Sequence, residues 1–306
     1  MGKFFRCDYK QIRSLMKYLL HFIFSLSIFA IFTSCSNNAE PEYRVFMQPS
    51  SITSTDANGW NQAFEYDEHG WIVSWTETSN SADGAIYSAY FDYTDKDIIK
   101  ITSEEDLMDG NKRYFQETIQ LIDGKASKSE GTFINELNGN PQLRKTYRLE
   151  FEYDNSNHLT VVKHSEVVGI GTDIKEDAWD KAWSWENYLI WEGGNMKEFQ
   201  DYQGNTSIYR TTNYEYSTNT SEYPLITSII INNAHHTPLV MQGIFGANSI
   251  NLIKASTALD EYGGLYLSRQ YTYEFENERI IEYTETTSYN TAISKSTSYS
   301  VNWTEI

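Results

Sequence analysis

Four groups of side chains carry residue types that could do chemistry. His235-His236 is an adjacent pair of metal-ligand type. On a strand the two rings would point to opposite faces and could not share an ion. On a loop they could, but no third ligand is evident, so the pair reads as solvated loop histidines and no metal is assigned. His158 and His164 flank one strand and read as surface residues. Asp173, Glu176, Asp177 and Asp180 have helical spacing and oxygen ligands of the kind calcium takes, but they lack the glycine-containing loop of an EF-hand. They read as a solvated acidic face. Trp179, Trp183, Trp185 and Trp191, with Tyr188 among them, form a dense aromatic stretch. Exposed indoles stack on sugar rings, which makes these four tryptophans candidate glycan-binding residues. Alternating tryptophans on strands more often fill a core, and core is the preferred reading. Glu186 and Glu192 have the residue type of a glycosidase acid pair, but carboxylates are too abundant in this chain for that pairing to be informative.

The chain has no Gly-x-Ser-x-Gly elbow, phosphate loop, dinucleotide fingerprint or His-Glu-x-x-His. It reads as non-enzymatic and without a cofactor. The 306 residues hold 24 basic and 42 acidic side chains, a formal net charge of −18. Lys3, Arg6, Lys10, Arg13, Lys17 and Asp8 precede Cys35, so the remainder carries 19 basic and 41 acidic residues, a net of −22. Such a body repels phosphates, and nucleic acid is excluded as a partner. The only cysteines are Cys7 and Cys35, too few for a disulfide framework or a cysteine-based metal site.

The elements that must position these residues are hairpins. FEYDEHGWIVSW (64–75) returns as FEYDNSNHLTVV (151–162) and more loosely as YEFENERIIEY (273–283). Phe64 and Tyr66 share one strand face. Asp67 caps a turn, Gly70 takes positive φ, and Trp71, Val73 and Trp75 alternate with Ile72 and Ser74. In the second copy Asp154, Asn157 and Leu159 stand for Asp67, Gly70 and Ile72. Asn is the next-best residue for a left-handed position. Asp123-Gly124 and Gly193-Gly194 mark further tight turns. Ile229-Ile230-Ile231 reads as a buried strand. The spacing predicts an all-β chain of about a dozen strands in an antiparallel meander, forming a curved sheet or a closed soluble barrel. Two segments read as helical. One is 174–185, with Trp179, Ala182 and Trp183 on one face. The other lies within 234–259, as an inserted helix or loop that plugs one end.

Residues 16–35 combine Lys17, an apolar run from Tyr18 to Phe32, and Thr33-Ser34 before Cys35. The run is short for a spanning helix. The ending resembles a bacterial lipoprotein signal, although Phe32 stands where leucine is usual. The resemblance implies cleavage before Cys35 and lipid on its thiol. Residues 1–34 are then the signal, with 1–15 lying upstream of its natural start at Met16. Residues 35–45 form a flexible tether and 46–306 a single β domain. Membrane attachment through the lipid, with a glycan or an envelope protein as the further partner, is the expectation.

FEYDEHGWI and FEYDNSNHL are similar to the YD-type repeats of bacterial surface proteins. Together with the signal and the aromatic last strand, they resemble a Bacteroidetes lipoprotein family of unknown function with a porin-like fold. The resemblance implies a strongly curved or closed antiparallel sheet in an outer-membrane lipoprotein, on its periplasmic or surface side, and it brings no catalytic residues. In 145–153, Lys145, Tyr147, Leu149, Phe151 and Tyr153 fall on one face, and Thr146, Arg148, Glu150 and Glu152 on the other. One wet and one buried face suits a barrel standing in water rather than one in lipid.

Overall fold

The computed structural model describes residues 47–57, 59–81, 84–107, 110–169, 182–203, 207–220, 225, 234–289 and 293–305. The signal, Cys35, the tether, Trp179, the acidic cluster at 173–180 and the 229–231 strand candidate lie outside them. The strands are β1 (Met47–Thr53), β2 (Trp60–Tyr66), β3 (Ile72–Ser79), β4 (Ile86–Asp95), β5 (Ile98–Asp106), β6 (Asn111–Ile122), β7 (Lys125–Leu137) and β8 (Asn140–Tyr153). They continue as β9 (Leu159–Gly169), β10 (Trp183–Glu192), β11 (Asn195–Gln203), β12 (Ser207–Thr220), β13 (Asn251–Asp260), β14 (Leu265–Glu276), β15 (Arg279–Tyr289) and β16 (Ile293–Glu305). Each pairs antiparallel with its chain neighbour, and β1 pairs with β16, closing the barrel. The sixteen strands described exceed the dozen expected. Turns such as Asn138-Gly139, with φ of 51° and 77°, left only a weak mark in a polar stretch.

The recurring aromatic–acidic–aromatic motif is a bulged hairpin with an anchor. In the first copy Asp67 Oδ1 accepts from the amides of His69 and Trp71, and in the second Asp154 Oδ1 accepts from those of Ser156 and His158. Beyond each turn the register slips by one residue. Tyr66 pairs with Ile72 while Glu65 pairs with Ser74, and Tyr153 pairs with Leu159 while Glu152 pairs with Val161. The bulge corrects the expected face. Ile72 and Trp75 both point inward and are buried, whereas Trp71 is exposed.

A bulge takes a residue out of the ladder, and a neighbouring buried carbonyl then needs another donor. An aromatic side chain on the next strand supplies it. Tyr66 donates to Pro49 O (2.7 Å), Tyr93 to Ile72 O (3.0 Å) and Tyr153 to Ala126 O (2.7 Å). Trp191 donates to Leu159 O (2.7 Å), Tyr216 to Met196 O (2.7 Å), Tyr273 to Ile253 O (2.6 Å) and Trp303 to Ile280 O (2.9 Å). The motif is therefore a closure device: the bulge bends the strand, and the ring spans to the strand before it.

The described part of the β12–β13 connection, residues 234–250, fills the lumen at the end bearing these turns, as an inserted plug should. Its helix, α1 (His236–Met241), is only six residues long, and residues 251–259, expected within the insertion, belong to β13 instead. Leu239, Val240, Ile244 and Phe245 are buried, and Phe245 packs on Phe151 at 5.1 Å. Main-chain bonds fasten the plug to the turns. Ala126 N donates to Ile244 O (2.8 Å) and Ala247 N to Asn157 O (2.8 Å). Gly246, at φ +90°, passes so near this turn that a Cβ would lie 2.4 Å from Asn157 O.

Two broad stretches of the outer wall are polar. Across β14–β16, Ser268, Gln270 and Thr272 face Ser288, Thr286 and Thr284, which in turn face Ser294, Ser296 and Ser298. From β7 to β10, Lys128, Glu150, Lys163 and Glu186 pair in sequence with alternating charge. Tyr147, Leu149 and Phe151 point inward, as the alternation of 145–153 requires. Trp183 and Trp185, expected at the end of a helix, open strand β10.

The anchors are testable singly. Tyr273→Phe leaves Ile253 O without its donor and is expected to cost about 1–2 kcal/mol in urea denaturation. Tyr262→Phe, at a ring 87% exposed, is expected to change stability by less than about 0.5 kcal/mol.

Candidate functional site

Midway down the lumen the plug meets the wall at one carboxylate. Glu117 lies on the inward face of β6 between Phe115 and Ile119, with no exposed side-chain surface. It stands opposite Gly131 on β7, which stands opposite Tyr147 on β8. Gly131 leaves room for the Tyr147 ring, since a Cβ there would lie 2.3 Å from the Tyr147 oxygen. The ring thus crosses β7 and donates to Glu117 Oε2 at 2.7 Å. Ser129 donates to Oε1.

The other two partners come from the plug. His235 Nε2 is 2.6 Å from Oε2, and His236 Nε2 is 2.8 Å from Oε1. His235 has helical backbone angles at the cap of α1. Successive side chains there diverge by about 100° rather than 180°, so both rings can reach one acceptor. This overturns the expectation of solvated loop histidines, because His235 and His236 are 0% and 1% exposed. On its far side His235 Nδ1 lies 2.8 Å from Tyr87 Oη and 3.3 Å from Ser103 Oγ. His236 Nδ1 is buried without a hydrogen-bond partner.

Burial alone would raise the Glu117 pKa. The charge of His236 and the hydrogen bonds of both histidines more than reverse that and hold the carboxyl well below its ordinary value. Burial, aided by His236, pushes His235 down. The carboxylate is thus ionised and accepts four hydrogen bonds, with His235 neutral and carrying its proton on Nε2. The arrangement can bind the plug to the wall, and it gathers two imidazole nitrogens and a carboxylate within 4.8 Å of one another.

His164, expected at the surface, is buried against Tyr147 and Trp185. Burial, with Lys145 beside it, pushes its pKa down to about 3. His158 stacks on Trp191 at 4.3 Å. Among the described tryptophans, Trp191 stands apart from Trp183 and Trp185 along β10. Trp191 anchors Leu159 O near the β10–β11 turn. Trp183 and Trp185, with rings 5.1 Å apart, lie toward the opposite end of β10. Trp183 is 54% exposed and Trp185 is half-buried opposite His164. Glu186 and Glu192 are six residues apart along one strand, about 20 Å, too far to act as an acid pair. Glu192 pairs instead with Lys197 at 2.6 Å.

Beyond the knot, away from the plug's turns, the inward face becomes polar. Arg113 pairs with Glu105 (2.9 Å), Lys145 with Glu166 (2.8 Å), and Asn187 donates to Asp201 (3.0 Å). No local motif marks Glu117 in the sequence; the available signal is that Phe115, Glu117, Ile119 and Leu121 alternate and place one carboxylate on an apolar strand face.

The chain matches no protein-family model and no curated protein. Among solved structures it is similar to a porin-like protein from Bacteroides uniformis. The TM-score is 0.54 and the identity 14%, over 85% of this chain and 96% of that one. A porin-like protein from Bacteroides vulgatus is matched with a TM-score of 0.49 and 14% identity, over 84% and 98%. The likeness is one of fold. The expected porin-like barrel is present in this chain.

Glu77 reports on the polar belt. It faces inward from β3 opposite Gln62, whose Nε2 donates to it at 2.5 Å. Burial raises its pKa, Gln62 opposes this, and the nearby Glu105 raises it further. A carboxyl raised on folding stabilises the fold at acid pH and loses that contribution as pH climbs through the folded value. Glu77→Gln is therefore expected to raise stability at pH 7, with no gain at pH ~4. Chemical denaturation at the two pH values checks this, and an equal gain at both contradicts it.

Proposed function

We propose that this chain is a lipid-anchored, non-enzymatic protein of the cell envelope that holds a plugged barrel in water and binds a ligand or partner there. The observation that carries the reading is the polarity of two stretches of the outer wall. A barrel in lipid needs an outward apolar band, and charged side chains near its midplane cost several kcal/mol each. Here β14–β16 present hydroxyls and amides, and β7–β10 present alternating charge. No helix among the described residues is long and apolar enough to cross a membrane. A water-facing barrel with an envelope address needs a separate attachment, and Cys35, after its apolar run and small residues, is the chemical group suited to it. The plugged lumen supports binding or a structural role over conduction. Cys35→Ala is expected to move the protein from the membrane to the soluble fraction and to abolish incorporation of labelled palmitate. Retention of both by the variant contradicts the reading.

A second reading, glycan binding, is favoured by Trp183, an exposed indole beside Trp185 at the edge of the polar belt. Aromatic faces together with amides and carboxylates suit sugar hydroxyls. Trp183→Ala is expected to weaken retardation in polysaccharide-containing native gels at least about fivefold, with an unchanged melting midpoint. Equal migration of wild type and variant, neither of them retarded, counts against it.

A further inference from the structure

We propose that Glu117, His235 and His236 bind one divalent metal ion of the zinc class, which locks the plug to the barrel wall. Two imidazole Nε2 atoms and a carboxylate are a common donor set for that ion. They converge from two parts of the chain, β6 and the cap of α1, and all three side chains are at most 1% exposed.

The surroundings suit a ligated set. Ligating histidines usually give their second ring proton to a fixed acceptor. His235 Nδ1 already faces Tyr87 Oη and Ser103 Oγ. When Nε2 gives its lone pair to the ion, the ring proton moves to Nδ1 and is donated to those oxygens, so the ring stays neutral. The Tyr147 and Ser129 hydroxyls meanwhile hold the carboxylate from the wall side. The N···O separations are 2.6 and 2.8 Å, those of direct hydrogen bonds. Metal–ligand distances of about 2.0–2.1 Å in a tetrahedral shell need an N···O edge of about 3.4 Å, so the set must open by roughly 0.6–0.8 Å. Because both histidines belong to the plug, that adjustment is a small outward shift of α1 and leaves the strand pairing intact.

The ion serves the fold, in that it joins a segment between β12 and β13 to the middle of β6.

The test uses the full-length chain, purified and stripped with a chelator. Zinc sulfate is added and bound metal is measured by mass spectrometry alongside the melting midpoint. One zinc per chain is expected, with a midpoint that rises with free zinc. His236→Ala is expected to lose zinc affinity at least about tenfold, while His158→Ala keeps it. Should His236→Ala not fold, zinc X-ray absorption on the wild type decides, with two imidazoles and a carboxylate oxygen at about 2.0–2.1 Å expected. A folded wild-type chain that takes up no zinc overturns the proposal. So does a bound zinc whose spectrum lacks imidazole ligands, which would place the ion on the acidic surface.

Discussion

A sixteen-stranded barrel is too wide for its own wall side chains to fill. Eight strands enclose a lumen that side chains close, and sixteen leave an open one. This chain meets the constraint by placing residues 234–250 of the β12–β13 connection in the interior. α1 and the turn after it supply Leu239, Val240, Ile244 and Phe245 to a core that the wall supplies from Ile72, Trp75, Leu149 and Phe151. Apolar packing does not fix the depth or rotation of such a plug. Directional bonds do, and they occur at two levels. Main-chain bonds tie the plug to the hairpin turns at the rim. Deeper, Glu117 receives both histidines. Removing one member of such a buried charged network strands the others, which is why the knot can specify a single seating.

The hairpins were legible in the sequence because their turns have fixed chemistry. The Asp67 and Asp154 caps and the Asp123-Gly124 turn stand where the residue types place them. The facing of residues beyond each turn was not legible. A bulge shifts the period by one residue without changing composition, so Ile72 rather than Val73 joins Trp75 on the buried face. The second aromatic of the motif read as core and proved to have two roles, since its ring packs while its hydroxyl or indole N–H satisfies a carbonyl one strand away. Sequence alternation carries the first role, and only register carries the second.

The plug was legible as an interruption in the strand pattern, but its contacts were not. His235 and His236 are next to each other in the chain, while their acceptor is more than a hundred residues earlier. No local spacing announces such a meeting. The available signal was Glu117 itself, a charge at an inward position of an alternating strand, which a folded chain must pair. The tryptophan stretch shows the converse, that neighbours in sequence can be distant in the fold. Its members are close in sequence, yet one extended strand carries Trp183 and Trp191 to different ends of the wall.

The central claim is that the buried knot holds the plug in the lumen. Hydrogen–deuterium exchange on the wild type and on Glu117→Leu tests it most directly. In the wild type, the amides of Ile244 and Ala247 should exchange as slowly as those of β6. In the variant they should exchange at least about tenfold faster, while the β7–β8 ladder keeps its protection. Wild-type plug amides that exchange as fast as the exposed turns would contradict the account. So would a variant in which the plug and the ladder lose protection together.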